Sequence, residues 1–228
     1  DGNDATGDGS TDNPFESIQA ALDFSGMGDT ILVAPGEYIE NIEINNQNHV
    51  IASYFLLAGD SSYIENTVID GDGQEQVISM NMAGPDTKLI GFTITNGYTT
   101  DSGAGLYCVD SYPTIAFCVF KDNNAGISNP LTHGGSISAN YSEITLENVW
   151  IYDNYAAGQG GAVYAAHSTI NATHVLVVDN GANVKGGAFS FYKSSGTLDH
   201  VTIANDSAQI EGGALFMHES EVSFTNSI

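Results

Sequence analysis

The stretch that decides the fold is GQGGAVYAAHS, residues 158–168, because its glycine pair recurs at a constant interval. Equivalent pairs begin at Gly134, Gly160, Gly186 and Gly212, each followed by a small residue and a short apolar run. A single glycine pair would fit a phosphate-binding loop or a hinge equally well. Four copies, each 26 residues after the last, instead indicate a repeat architecture.

Other residue types keep the same interval. One column consists of serines, one holds residues that tolerate tight turns, and one holds Asp or Asn: Ser142, Ser168, Ser194 and Ser220; Asn148, His174, His200 and Asn226; Asp153, Asp179 and Asn205. The interval from Gly103 to Gly134 is longer than the others. The extra residues fall between Asp122 and Gly134, where they predict a protruding loop.

Within each repeat, apolar residues alternate in three short runs, the period of two that is typical of β-strands. Two inward residues per strand bury little in one isolated repeat. Stacked repeats bury them together, with parallel strands about 4.8 Å apart. The sequence therefore predicts an all-β fold, a parallel β-helix with three strands and about 26 residues per coil.

The N-terminal segment differs from the repeats. PFESIQAALDFSG, residues 14–26, places apolar side chains at helical spacing, and such a helix would cover the open end of the first coil. We predict an acidic loop and capping helix over residues 1–28 and the β-helix over residues 29–228. The sequence given stops inside a repeat, so we expect further domains beyond Ile228 or end-to-end self-association there.

The turn column has a conformational explanation. Asn, His and Gly tolerate a left-handed backbone, so we interpret His174 and His200 as corner residues rather than metal ligands. Phe117 occupies the same column, and the sequence offers no reason for it. Cys108 and Cys118 fall on inward positions, which favours two buried thiols, with a disulfide as the alternative.

The charge excludes whole classes of partner. Asp and Glu number 28 against 4 lysines and no arginine, and the formal net charge is −24. Such a surface repels nucleic acid and anionic membranes, and it would accept an anionic polysaccharide only through bridging divalent cations. No segment reaches the roughly 18 apolar residues of a membrane span. Because the sequence opens on Asp1 rather than Met, we expect a processed, secreted chain.

The repeats, together with the runs at residues 13–44 and 89–97 (LIGFTITNG), make the chain resemble the pectin-lyase-like superfamily of parallel β-helices. GGAV, GGAF, GGAL and FKDN are also similar to the repeats of chlamydial-type polymorphic outer-membrane proteins and other large bacterial surface proteins. The resemblance implies right-handed coils and an extracellular or bacterial cell-surface location. It leaves function open, since the superfamily includes lyases, hydrolases, esterases, adhesins and passive stalks.

The most specific catalytic hypothesis is a calcium-dependent polysaccharide lyase. Asp122, Asp153 and Asp179 form a column with carboxylates about 5 Å apart, which suits calcium, and Lys121 would be the base. The alternative is that these aspartates and the asparagines after them are turn residues that bond their own backbone. Repetition in every coil favours the turn interpretation, because a catalytic site is needed only once.

A second calcium candidate is the N-terminal loop DGNDATGDGSTD. Its oxygen-bearing side chains alternate with glycines, as hard cations prefer: Asp1, Asn3, Asp4, Asp8 and Asp12. A solvated acidic loop is the alternative. The motifs of polygalacturonases and pectin methylesterases, as the resemblance implies them, require arginine, and the chain has none.

Outward-facing aromatic residues suggest a binding function without catalysis. Trp150 and Tyr152 decorate the second strand of the coil, and Tyr164, Tyr192 and Phe216 decorate the third. Such rings stack on sugars, or they are covered by the inserted loop or another domain. Our leading prediction is a non-enzymatic module of a secreted or cell-surface protein: an adhesin, a stalk or a glycan-contact surface. The alternatives are the lyase and an end-to-end assembling structural unit.

Overall fold

The computed structural model describes residues 2–126 and 131–228. Within them the chain forms a right-handed parallel β-helix, as predicted. Each strand pairs in parallel with the equivalent strand of the next coil, so four sheets run along the molecule. The inserted loop between Asp122 and Gly134 lies partly outside the described residues.

We number the sheets in the order in which a coil visits them. The first sheet has eight strands: Thr30–Val33, Val50–Ser53, Lys88–Ile90, Thr114–Ala116, Glu143–Glu147, Thr169–Thr173, Ser195–Asp199 and Glu221–Thr225. The second sheet has seven: Gly36–Ile39, Thr67–Asp70, Thr93–Thr95, Val119–Lys121, Trp150–Tyr152, Leu176–Val178 and Thr202–Ala204. The third has seven: Ile42–Asn45, Ile78–Asn81, Leu106–Val109, Ile137–Asn140, Val163–Ala166, Phe189–Tyr192 and Leu215–His218.

The three predicted strands are therefore present in successive coils. A fourth, narrow ladder that the sequence did not reveal lies between the second and third sheets: Tyr98–Thr99, Asn124–Ala125, Tyr155–Ala156, Gly181–Ala182 and Ser207–Ala208. These strands are only two residues long, so their alternation is too short to stand out against the turns around them.

The core consists of the predicted inward columns. Ile144 and Leu146 lie opposite Ile170 and Ala172 in the first sheet, and all four are buried. A fully buried aliphatic or aromatic side chain contributes about 1.5–3 kcal/mol, so each coil depends on its neighbours to cover these groups. Cys108 and Cys118 are free, buried thiols within this core, as we interpreted them.

The predicted capping helix is α1, Ile18–Phe24. It buries Ile18 and Leu22 against the first coil, and the Ser17 side chain caps its first turn by accepting the Ala20 N–H. The two oxygens of one carboxylate complete the N-terminal end. Glu40 accepts the N–H groups of Ile18 and Gln19 at 2.8 and 3.0 Å, which satisfies donors that a helix start leaves unpaired.

Two short helices were not predicted: α2, Phe55–Ala58, and α3, Ser62–Asn66. Both lie in the second coil, between strands Val50–Ser53 and Thr67–Asp70. They explain Phe117, whose ring packs against Phe55 with 4.8 Å between the ring centroids. The backbone of Phe117 adopts the left-handed conformation of its column, with φ of 53°. This ring contact compensates for an unfavourable residue type at a corner.

The corners confirm the interpretation of the histidines. His174 and His200 have φ of 55° and 53°, and their rings stack with centroids 4.8 Å apart. The acidic column forms a second left-handed corner, where Asp122, Asp153 and Asp179 have φ of 55°, 56° and 58°. Asp tolerates this conformation better than most residues, so the fold itself accounts for the repeated aspartates.

Buried polar ladders bind the coils to one another. In one, which we call the serine ladder, the Ser142 N–H donates to Ser168 Oγ, and the Ser168 N–H donates to Ser194 Oγ, both at 3.0 Å. In the other, which we call the asparagine ladder, Asn154 donates both its backbone N–H and its Nδ2 to Asn180 Oδ1. These bonds satisfy groups that burial would otherwise leave unpaired.

The second glycine of three of the pairs, Gly135, Gly161 and Gly187, has no room for a side chain. A Cβ on Gly161 would lie against the carbonyl oxygens of Gly181 and Gly187, which are backbone atoms of neighbouring segments. We therefore expect Gly161→Ala to lower the free energy of unfolding by about 1–3 kcal/mol or more. Chemical denaturation followed by far-UV circular dichroism measures this loss.

Gly181→Ala is the matched control. Its Cβ would meet Tyr155 Cδ2 at 3.4 Å and Ser207 Oγ at 4.0 Å, both ordinary contact distances. We expect a change within about 0.5 kcal/mol for this variant. Equal stability of Gly161→Ala and the wild-type protein would contradict the close packing of the glycine column.

Candidate functional site

The outer face of the second sheet carries an apolar strip, which we call the Trp150 strip. Trp150 lies in register between Val119 and Leu176, and its side chain is 55% exposed. In the adjacent row, Tyr152 lies between Lys121 and Val178. The structure therefore brings the predicted residues Trp150, Tyr152 and Lys121 together on one rigid face.

The outer face of the third sheet is covered instead. The glycine-pair loops fold back over it and stack, with backbone bridges from Gln159 to Lys185 and from Lys185 to Glu211. Tyr164 packs against His133 with 4.4 Å between ring centroids, and Lys185 Nζ lies 4.2 Å from the Phe216 ring centroid. Tyr164 and Phe216 are consequently half-buried in these contacts.

Tyr192 belongs to a different surface, at the corner between the third and first sheets. An open groove of about 620 Å³ runs along this corner; we call it the corner groove. Its lining comes from three successive coils: His167, Ser168 and Thr169; Lys193, Ser194 and Ser195; Glu219, Ser220 and Glu221. The serine ladder forms part of this lining, since Ser168, Ser194 and Ser220 belong to both.

Aromatic rings follow the same corner. Tyr141 stacks on His167 with 5.0 Å between centroids and 3° between planes. Tyr192 stacks on His218 at 5.1 Å and 9°, and its edge meets His167 at 5.8 Å. Tyr141 is 60% exposed, so its ring is available to a ligand.

The polar groups of the groove combine hydroxyls with one opposed charge pair. Thr169 Oγ1 and Ser195 Oγ are 3.0 Å apart and share one hydrogen bond, which leaves further donor and acceptor capacity on both hydroxyls. Lys193 Nζ lies 3.8 Å from Glu219 Oε2, and Glu221 adds a second carboxylate. Rings beside hydroxyls and a few charges are the chemistry of a site that recognises polar, partly apolar molecules.

The predicted catalytic base and its acidic column are close in space. Lys121 Nζ lies 3.9 Å from Asp122 Oδ2, and Asp122 lines an open cleft of about 280 Å³ with Asp70 and Asp72. Asp153 and Asp179 continue the column along exposed corners. Among residues 2–126 and 131–228, no three His, Cys, Asp or Glu side chains are placed to hold a metal ion together.

The N-terminal acidic loop uses its oxygens internally. Asp4 accepts the N–H groups of Glu16 and Ser17 at 2.7 and 2.9 Å and the Ser17 hydroxyl at 2.8 Å, and these bonds lower the pKa of Asp4. Asn3 and Asp8 accept backbone N–H groups in the same way. Asp12 is exposed, and Asp1 lies outside the described residues. The loop is therefore tied to the start of α1.

Sequence reasoning did not find the corner groove. Its signal was present, because Tyr141, His167, Lys193 and Glu219 form a column that immediately precedes the serine column. The column changes residue type in every coil, so it carries no repeated chemistry. Only the left-handed backbone that these residues share, with φ of 48–52°, shows that they occupy one corner.

The chain belongs to a family described as "Protein of unknown function (DUF1565)", whose model matches residues 1–216. No curated protein and no solved structure gives a significant match to the chain. Of the helices in the described parts of the chain, none is long and apolar enough to cross a lipid bilayer.

The covered face of the third sheet yields a pH prediction. Burial lowers the pKa of His133 to about 4, and its Nδ1 accepts the Gln159 N–H at 3.0 Å, so the ring is neutral with its proton on Nε2. The unfolded chain binds a proton near the ordinary value of about 6.5. Stability from this group is therefore present above about pH 6.5 and is lost as the pH falls toward about 4, by about 1–3 kcal/mol.

NMR titration of the histidines measures the pKa of His133, and denaturation at several pH values measures the change in the free energy of unfolding. In His133→Gln, which keeps an acceptor but does not titrate, we expect a flatter dependence over the same range. A His133 ring that titrates near 6.5 in the folded protein would contradict its burial.

Proposed function

We propose that the chain is a non-enzymatic module of a secreted or cell-surface protein, and that its corner groove binds neutral glycans. One observation carries this proposal: the His167 ring lines a groove together with Thr169 and Ser195. Tyr141 stacks on His167, and the Tyr192 ring makes an edge contact with it at 5.8 Å. The apolar face of a sugar ring packs on an aromatic ring, while its hydroxyls need donors and acceptors beside it.

The charges favour a neutral ligand over a uronate. Glu219 neutralises Lys193, and Glu221 remains as an unopposed carboxylate in the groove. The formal net charge of −24 adds long-range repulsion for anionic polymers. A polyuronate would need divalent cations to bridge it to this surface.

The fold suits a polymeric ligand. Equivalent positions in successive coils repeat at a strand spacing of about 4.8 Å, so the serine column recurs along the groove on a rigid support. Several weak contacts to one polymer add through effective concentration, because binding at one coil holds the next sugar unit near the next coil. Catalysis is not required for such a role.

The setting of the module rests on resemblance. The N-terminal run, LIGFTITNG and the glycine-pair repeats are similar to those of pectin-lyase-like proteins and of bacterial surface proteins such as the polymorphic outer-membrane type. These similarities support an extracellular or cell-surface location.

The groove predicts which ring matters. We expect Tyr192→Ala to weaken binding of neutral oligosaccharides about tenfold, because it removes a stacking surface, whereas Tyr192→Phe keeps the ring and binds like the wild-type protein. Isothermal titration calorimetry against panels of neutral and uronate oligosaccharides measures both variants. Tyr152→Ala, on the Trp150 strip, is the matched control and should leave affinity unchanged.

Because the chain has a single tryptophan, its fluorescence distinguishes binding at the Trp150 strip from binding at the corner groove. If the glycan binds at the corner groove, its addition leaves Trp150 fluorescence unaltered. Quenching or a spectral shift, with binding lost in Trp150→Ala and kept in Tyr192→Ala, would move the site to the Trp150 strip. Unsaturated products from a polyuronate with calcium, absent in Lys121→Ala, would establish the lyase instead.

A further inference from the structure

The asparagine ladder includes one residue of a different type. Asn123, Asn154 and Asn180 occupy successive coils, and Asp206 takes the next position. Asp206 Oδ1 behaves like an asparagine oxygen, since it accepts both the backbone N–H and Nδ2 of Asn180 at 2.8 Å. The difference lies in the second side-chain atom, which is an oxygen in Asp206 and an NH₂ group in the others.

In the asparagines that second atom is a donor facing carbonyl oxygens. Asn180 Nδ2 donates to the Val178 and Ile151 carbonyls, both at 3.0 Å. Asn154 Nδ2 makes the same pair of bonds, to the Tyr152 and Phe120 carbonyls at 2.9 and 3.1 Å. By the register of the coils, the equivalent carbonyls for Asp206 are those of Ala204 and Val177.

Asp206 Oδ2 is buried and has no hydrogen-bond partner when treated as an acceptor. An ionised carboxylate there would place a charged oxygen toward carbonyl oxygens. A protonated carboxyl would instead present an O–H donor at the position where each asparagine presents its NH₂ group.

We propose that Asp206 binds a proton more readily in the folded protein than in the unfolded chain, and that its neutral carboxyl donates the Oδ2 proton to the Ala204 or Val177 carbonyl. The coil that contains Thr202–Ala204 and Ser207–Ala208 is then a pH-sensitive element. When Asp206 loses its proton, the ladder loses this bond and the coil loosens.

The electrostatic surroundings of Asp206 also favour its protonated form. Burial raises the pKa of Asp206 above the ordinary value, and repulsion from Asp179 in the preceding coil adds to this effect. Hydrogen bonds from Asn180 and with the backbone of Ala204 oppose it without reversing it. Because the folded state binds the proton more tightly than the unfolded chain, this contribution to stability is complete at low pH. It is lost as the pH rises through the raised pKa of the folded state.

The experiment compares the intact chain with Asp206→Asn, which supplies a permanent NH₂ donor at the same position. We expect the Tm of Asp206→Asn to exceed that of the wild-type protein by about 2–4 °C at neutral pH. We expect the difference to shrink to zero as the pH is lowered to about 3, below the ordinary carboxyl range. Asp153→Asn is the control, because Asp153 lies at an exposed corner and is not a member of the asparagine ladder. The Tm difference for this variant should show no such trend with pH.

The protonation state is measured directly by the carboxyl ¹³C shift of Asp206. A midpoint above the ordinary value of about 3.9 supports the proposal. A midpoint at or below that value would overturn it. So would an Asp206→Asn variant that is no more stable than the wild-type protein at neutral pH.

Discussion

The whole structure depends on one constraint: each coil can bury its inward residues only if the next coil lies in register above it. A strand contributes two inward side chains, and these are covered by the side chains of adjacent coils rather than by any layer outside. The serine and asparagine ladders enforce the register, because a shift by one residue would leave buried donors unpaired. Glycine pairs then fix where the loops return, since Gly161 touches the backbone of the next coil.

The surfaces follow from the same register. The second sheet exposes an apolar face around Trp150, whereas the third sheet is covered by its own stacked loops. Binding chemistry is left to the corners and to open sheet faces. At the corner groove, residues from three successive coils, including the His167 ring and the serine column, lie side by side at equivalent positions of the repeat. The proposed glycan surface would therefore need no separate binding domain.

Much of the fold was predictable because it repeats. The inward columns, the capping helix and the corner role of His174 and His200 all left periodic or amphipathic signals. Other features that occur only once left no such signal in the sequence. Helices α2 and α3 interrupt a single coil, and the contact of Phe55 with Phe117 joins residues far apart in sequence. The corner groove was missed for another reason: its column varies in residue type, and only the backbone conformation unites Tyr141, His167 and Lys193. The covering of Tyr164 and Phe216 depends on a loop path that alternation of polarity does not encode.

The left-handed corners have a further consequence for how such a molecule changes over evolutionary time. One corner column accepts Tyr, His, Lys and Glu in successive coils, at nearly the same φ. Side chains of very different chemistry therefore fit the same backbone conformation, so exchanging them changes the exposed chemistry while the corner keeps its shape. The corner is therefore a set of variable side chains on a constant backbone. Substitutions at this corner can change its binding properties one coil at a time, while the buried core that holds the coils in register stays unchanged.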